Sequence, residues 1–227
     1  MKENYNQLKV SLVINYMIVI FTIIATVIMF TGFIFMNGKE PVLEITNFGI
    51  FRLFTVDSNI LMGIAAYLFL REEKKLLSGK ITDIPVKYYI LKLVGTTSVA
   101  LTFVVVFAYL SRIVDGGVMS LLTNSNLFFH LIIPLLSILT FIVFERTNKI
   151  KIKYAFLGMI PTVLYGIYYV INLFTHLENG KVLPKYDWYW FVQSGLNNIY
   201  IIGPGLIIIS LLIAIILARL NRQRHKN

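Results

Sequence analysis

Six long apolar runs, separated by short polar stretches, dominate the chain: about 11–36, 48–70, 88–111, 119–144, 152–175 and 198–219. Each reaches the roughly 20 residues that a helix needs to cross the hydrocarbon of a bilayer. A backbone in lipid must satisfy its own hydrogen bonds, so such runs are predicted to be helices. The pattern predicts an all-α protein: an integral membrane bundle of six transmembrane helices, built as a single membrane domain over residues 1–227. The first run is longer than the apolar region of a signal peptide and has no small-residue cleavage site. It is expected to be retained as a span.

Charge in the loops gives the orientation. The stretch 71–87 reads REEKKLLSGKITDIPVK and carries five Lys/Arg; ERTNKIKIK at 145–153 carries four. Lys2 and Lys9 precede the first run, and Arg219, Arg222, Arg224 and Lys226 end the last. The alternate loops hold Lys39, Arg112, and Lys181 with Lys185. Positive loops stay in the cytoplasm. Both termini are therefore expected inside, with 37–47, 112–118 and 176–197 outside, in a multi-pass protein of the cell membrane.

Composition sharpens the class. The chain is 57% hydrophobic and 14% charged, against about a quarter charged in soluble domains. The net charge of +10 sits in loops beside apolar runs, where it meets anionic head groups rather than nucleic acid. There is no cysteine, which excludes disulfides, thiol nucleophiles, zinc–thiolate and iron–sulfur sites. His130, His176 and His225 form no HxxxH or HExxH, and no GxGxxG or P-loop occurs. Neither a metal nor another cofactor is expected. In the last outer loop, KYDWYWF at 185–191 holds Trp188 and Trp190, which are expected to anchor at the membrane interface.

The polar residues inside the spans carry the candidate chemistry. FTVDSNILMG at 54–63 places Thr55, Asp57, Ser58 and Asn59 in the second span, just after Arg52. Arg52, Thr55 and Asn59 follow the three-and-four spacing of one helix face. In the fourth span, Asn126, His130, Pro134 and Ser137 form a similar stripe. Pro134 is expected to kink that helix and free the carbonyl of His130. Pro161, Tyr165, Tyr168 or Tyr169, Asn172 and His176 mark the fifth; Thr96, Thr97, Ser98, Thr102 and Tyr109 mark the third. Unpaired polar groups in hydrocarbon cost several kcal/mol. The stripes therefore point to a polar pocket among spans two to five, open toward the outer side. Hydrogen bonds between helices are the alternative use of the same Ser, Thr and Asn side chains.

A hydroxyl beside an imidazole is the arrangement for acyl transfer. Thr55 with His130 is the simplest pair, with Ser58 as the rival nucleophile and Asn59 or Asn126 as an oxyanion donor. Asp57 is a further pocket candidate or an ion-pair partner for Arg52.

FTVDSNILMG and HLIIPLL, followed by GMIPTVLYGIYYVIN and DWYWF, resemble the ordered motifs of a bacterial six-span membrane family. That family is related to the animal androgen-induced and androgen-dependent TFPI-regulating proteins. The animal relatives are threonine-type hydrolases of fatty acid esters of hydroxy fatty acids. The resemblance implies Thr55 as nucleophile and His130 as general base. The VDSN that follows Thr55 is typical of the bacterial branch, so the animal substrate does not transfer. The expected activity is hydrolysis of a lipid-like ester drawn from the bilayer, without a cofactor. Arg52 is expected to hold a fatty carboxylate, with Tyr165 and Tyr169 lining the pocket. A small transporter or channel, or a non-catalytic lipid-binding protein, are the alternatives.

Overall fold

The computed structural model describes residues 2–36 and 45–222. Six helical segments follow in order: α1 (Lys2–Thr31), α2 (Phe54–Leu77), α3 (Val86–Ile113), α4 (Ser125–Phe144), α5 (Ile152–Thr175) and α6 (Leu196–Asn221). Strand pairing among the described residues is confined to a hairpin, Leu177–Glu178 against Lys181–Val182. All the helices except α2 are long and apolar enough to cross a membrane. Thr55, Asp57, Ser58 and Asn59 in its first turns, and the charges from Arg71 onward, keep α2 outside that set. Lys39 and the charges of the tail beyond Arg222 lie outside the described residues.

Helix ends differ from the apolar pattern where backbone geometry intervenes. α1 stops at Thr31 rather than continuing to 36, because Gly32 adopts φ +70°. Phe33 N–H reaches Ile28 O at 3.1 Å and Gly32 N–H reaches Met29 O at 3.3 Å. This paired closure of the last turn is the Schellman arrangement, which favours glycine in the left-handed region. Gly79 ends α2 the same way, with Lys80 N–H bonded to Lys75 O and Gly79 N–H to Leu76 O. In the fourth run, a separate helical turn covers Gly117–Ser120, and α4 begins only at Ser125.

α1, α2 and α3 pack in sequence, α4 lies against α1 and α3, and α6 lies against α3 and the start of α5. Small residues let the helices approach closely. A Cβ built on Gly158 would lie 2.7 Å from Ala214 Cβ, and one on Gly63 would lie 2.9 Å from Thr22. Large apolar side chains such as Ile23, Leu164, Ile167, Ile201 and Ile208 remain exposed around the bundle, which suits a surface solvated by lipid.

The interior at the end of the bundle that carries the basic 71–87 and 145–153 stretches holds a polar network that the span pattern does not predict. Lys92 Nζ lies 2.9 Å from Glu145 Oε1 and donates to Asn15 Oδ1 at 2.6 Å. Asn15 Nδ2 donates to Glu145 Oε1 at 2.8 Å and to Glu73 Oε2 at 3.2 Å. All four residues are buried. Asn221 Nδ2 donates to the carbonyls of Phe141 and Glu145 at 2.6 and 2.8 Å. The network thus fastens α1, α2, α3, α4 and α6 at one end of the bundle.

Candidate functional site

The site is built at the opposite end, where α2 begins. Residues 47–52 form a 3-10 helix, and Leu53 is extended at φ −95°, ψ 124°. The break puts Thr55 in the first turn of α2 rather than well inside a span. It also separates Arg52 from that helix face. The Arg52 side chain is exposed, and its carbonyl is the group engaged, accepting Tyr165 Oη–H at 2.7 Å. Asp57 is exposed as well, and no ion pair among the described residues joins it to Arg52. Arg52 and Thr55 therefore do not share one continuous helix face, and Arg52 lines none of the three cavities described below.

Asn59 and Ser58 serve the framework. Asn59 is fully buried; its amide donates to Thr55 O at 2.7 Å and across to Phe129 O at 3.2 Å. Both amide hydrogens are thereby used, so Asn59 has no donor left for an oxyanion. Ser58 Oγ bonds to Thr55 O and to Thr102 Oγ1, both at 3.1 Å, which ties α2 to α3. Ser58 and Asp57 touch a smaller pocket of about 360 Å³ with Pro161 and Tyr168, which neither Thr55 nor His130 lines.

His130 lies in a π-helical turn, Phe128–Ile132, a widened register often found at functional sites. Ile133 N–H bonds five residues back to Phe128 O. Pro134 comes next and has no N–H for Phe129 O, and Asn59 takes that carbonyl instead. The carbonyl captured beside Pro134 is thus that of Phe129, where the α-helical spacing predicted His130. The ring itself is buried, and Nδ1 sits 2.7 Å from Leu121 O. A carbonyl only accepts, so Nδ1 carries the proton and Nε2 is left as the basic nitrogen.

Thr55 and His130 line one cavity of about 470 Å³, the more polar of two, together with Asn124, Ser125, Asn126 and Trp188; apolar Ile28, Met29, Leu53 and Leu121 form much of the remaining wall. Asn126 is half-buried there. No direct hydrogen bond joins Thr55 to His130. A second cavity of about 460 Å³ is almost wholly apolar and runs between α3, α5 and α6, past Val105, Tyr169, Val170, Ile202 and Gly203. Ile167, Ile171 and Tyr200 in its wall are themselves exposed, so the cleft opens on the side of the bundle. Thr55, Leu110 and Tyr189 belong to both walls.

The aromatic loop completes the partition. Trp188 is buried, and its Nε1–H donates to Tyr165 Oη at 2.9 Å. Trp188 and Trp190 line the polar cavity, so they turn inward and the interface-anchor expectation does not hold. The cause is Asp187. Its buried carboxylate accepts Phe191 N–H at 2.9 Å, Val192 N–H at 3.0 Å and the Tyr169 hydroxyl. Trp190 takes φ +56° within that turn. Tyr165 and Tyr169 both line the apolar cleft. Sequence patterning singles out neither Asp187 nor Tyr189 within KYDWYWF; the lone carboxylate among aromatics is the one signal there that marks the loop.

No group of three or more His, Cys, Asp or Glu among the described residues is placed to hold a metal ion. Comparisons with protein-family models, with curated proteins and with solved structures gave no match.

Proposed function

We propose that this chain is a multi-pass hydrolase of lipid-like esters in the cell membrane. In this reading α2 is the sixth span, both termini are cytoplasmic, and no cofactor takes part. One observation carries it: Thr55 stands in the wall shared by the His130 cavity and a lateral apolar cleft. An ester whose acyl chain lies in the cleft presents its carbonyl to Thr55. The resemblance to the threonine-type hydrolases points to the same two residues.

The chemistry follows from the groups present. His130 Nε2 takes the proton of Thr55 Oγ1 as that oxygen bonds to the ester carbon. The carbonyl π electrons move to oxygen. Collapse of the tetrahedral adduct breaks the bond to the alcohol, which leaves with the proton from His130. Water, deprotonated by the same imidazole, then releases the acid and restores Thr55. The proton transfers need the Thr55 hydroxyl within about 3 Å of Nε2, and such contacts often tighten only when substrate is bound.

The test is hydrolysis of long-chain esters by purified protein in nanodiscs, with Thr55→Ala and His130→Ala beside wild type. The expected result is loss of at least about 10,000-fold in kcat for each variant, the lower end of the scale seen when members of a nucleophile–base unit are removed. Equal activity in all three would remove the assignment. No activity in any would direct the same cavities toward transport or lipid binding.

A further inference from the structure

Acyl transfer at Thr55 needs a donor for the oxygen that becomes an alkoxide, and the expected donors do not supply it. Asn59 has spent its amide on two carbonyls. Asn126 lines the polar cavity but not the wall shared with the cleft, where the scissile carbonyl must sit. We infer that Tyr189 is a catalytic residue of this reaction, the oxyanion donor, acting with the free amides of Phe54 and Thr55. The inference rests on the hydrolase reading above.

Three observations meet at this point. First, Tyr189 is one of the three residues common to both cavity walls, beside Thr55. Second, its hydroxyl oxygen is buried and makes no hydrogen bond. Its phenol neighbours the Phe54 and Thr55 amides and the Thr55 and Tyr165 hydroxyls without meeting any in bonding geometry. A buried phenol usually finds a partner, so an orphan at this place marks where a ligand atom completes the set. Third, Phe54 and Thr55 open the 24-residue helix α2, and the first backbone bonds of that helix start only at Val56 and Asp57. Free amides and the positive end of the helix dipole both favour negative charge there.

The parts divide the work plainly. As Thr55 Oγ1 bonds to the ester carbon, negative charge collects on the former carbonyl oxygen. Tyr189 Oη–H and the two amides donate to it. No proton leaves Tyr189, and the donors relax when the carbonyl re-forms. A purely structural Tyr189 would pack its ring on Phe191 and Tyr169, at centroid distances of 5.3 and 5.9 Å. Phenylalanine would serve that role equally well.

Tyr189→Phe separates the two roles. Three measurements are made in nanodiscs: turnover of a long-chain ester, affinity for a long-chain trifluoromethyl ketone, and affinity for the matching alkyl alcohol. The ketone forms an anionic tetrahedral adduct with Thr55; the alcohol places no charge in the site. Loss of an oxyanion donor lowers kcat by about 100- to 1,000-fold. The expected result is that loss in kcat, a similar loss in ketone affinity, and alcohol affinity and KM close to wild type. Should Tyr189→Phe fail to fold, 3,5-difluorotyrosine at position 189 keeps the shape and makes the donor more acidic. A changed kcat and ketone affinity supports the assignment, and unchanged values overturn it. Wild-type turnover and ketone affinity in Tyr189→Phe, with Thr55→Ala inactive, would overturn the donor role and leave the hydrolase reading standing. A wild-type protein that neither cleaves esters nor forms the ketone adduct would overturn both.

Discussion

Asn59 shows how a single side chain ties together the two segments that carry Thr55 and His130, the pair of the proposed site. One amide hydrogen holds Thr55 O in the first turn of α2, and the other holds Phe129 O, one residue before His130. A buried carbonyl left without its donor costs about 1–3 kcal/mol. Asn59→Ala is therefore expected to lower the stability of the protein by that amount in detergent unfolding. It should lower ester turnover beyond what the stability loss explains, because the helix bearing His130 loses its tie to the helix bearing Thr55. Asn59 was legible in the sequence as a polar residue at membrane depth, but its role was not. Sequence spacing puts Asn59 on the face of Thr55; it does not reveal that a π turn and Pro134 leave a carbonyl waiting on α4. The same limit applies to Arg52. Its three-residue offset from Thr55 implies a common face only if the helix is continuous, and the extended Leu53 breaks it.

Among the elements, α3, α5 and α6 follow their apolar runs to within two residues at each end. Their boundaries coincide with changes in polarity, which a sequence displays directly. α1, α2 and the start of α4 depart because left-handed glycines, a 3-10 turn and a separate helical turn set their ends. Gly32 and Gly79 are of the residue type that commonly ends helices, although the apolar run continues past Gly32; the break at Leu53 has no such signal, since nothing in IFRLFT is a strong breaker. Close crossings are equally hidden. Gly158 admits Ala214 Cβ at 2.7 Å and Thr97 Oγ1 at 3.0 Å from its own Cβ position, whereas Gly166 on the same helix has nothing within 4 Å. Extra methyl groups forced into a packed contact cost typically about 1–3 kcal/mol. Gly158→Val is expected to lower the unfolding temperature measurably, while Gly166→Val leaves it near wild type or raises it. A similar fall in both would show that helix propensity or lipid contact, not the crossing with α6, governs these positions.

Across the whole molecule, the two ends of the bundle divide two tasks. One end is fastened by Lys92, Glu145, Glu73 and Asn15, drawn from four helices and sealed by Asn221 from a fifth. Breaking a buried ion pair by removing one partner costs about 3–5 kcal/mol, so that end resists opening. The other end holds the two cavities beneath a loop fixed by Asp187. Basic loops predict a polarity for such a bundle from the sequence, whereas a buried lysine whose partners sit on other helices is invisible until the helices are assembled. The orientation makes a direct prediction. The chain has no cysteine, so single cysteines report their side without background. Met119→Cys lies in the helical turn before α4, at a residue that is 74% exposed, on the side of the proposed site. Lys80→Cys lies in the basic loop after α2, also exposed. In intact cells a membrane-impermeant maleimide should label the Met119→Cys variant and leave Lys80→Cys untouched; the latter should react only after the membrane is permeabilised. The reverse pattern would place the cavities on the cytoplasmic side and invert the orientation. Labelling of both variants in intact cells would put both ends of α3 on the outer side and mean that α3, which alone separates the two positions, does not cross the bilayer.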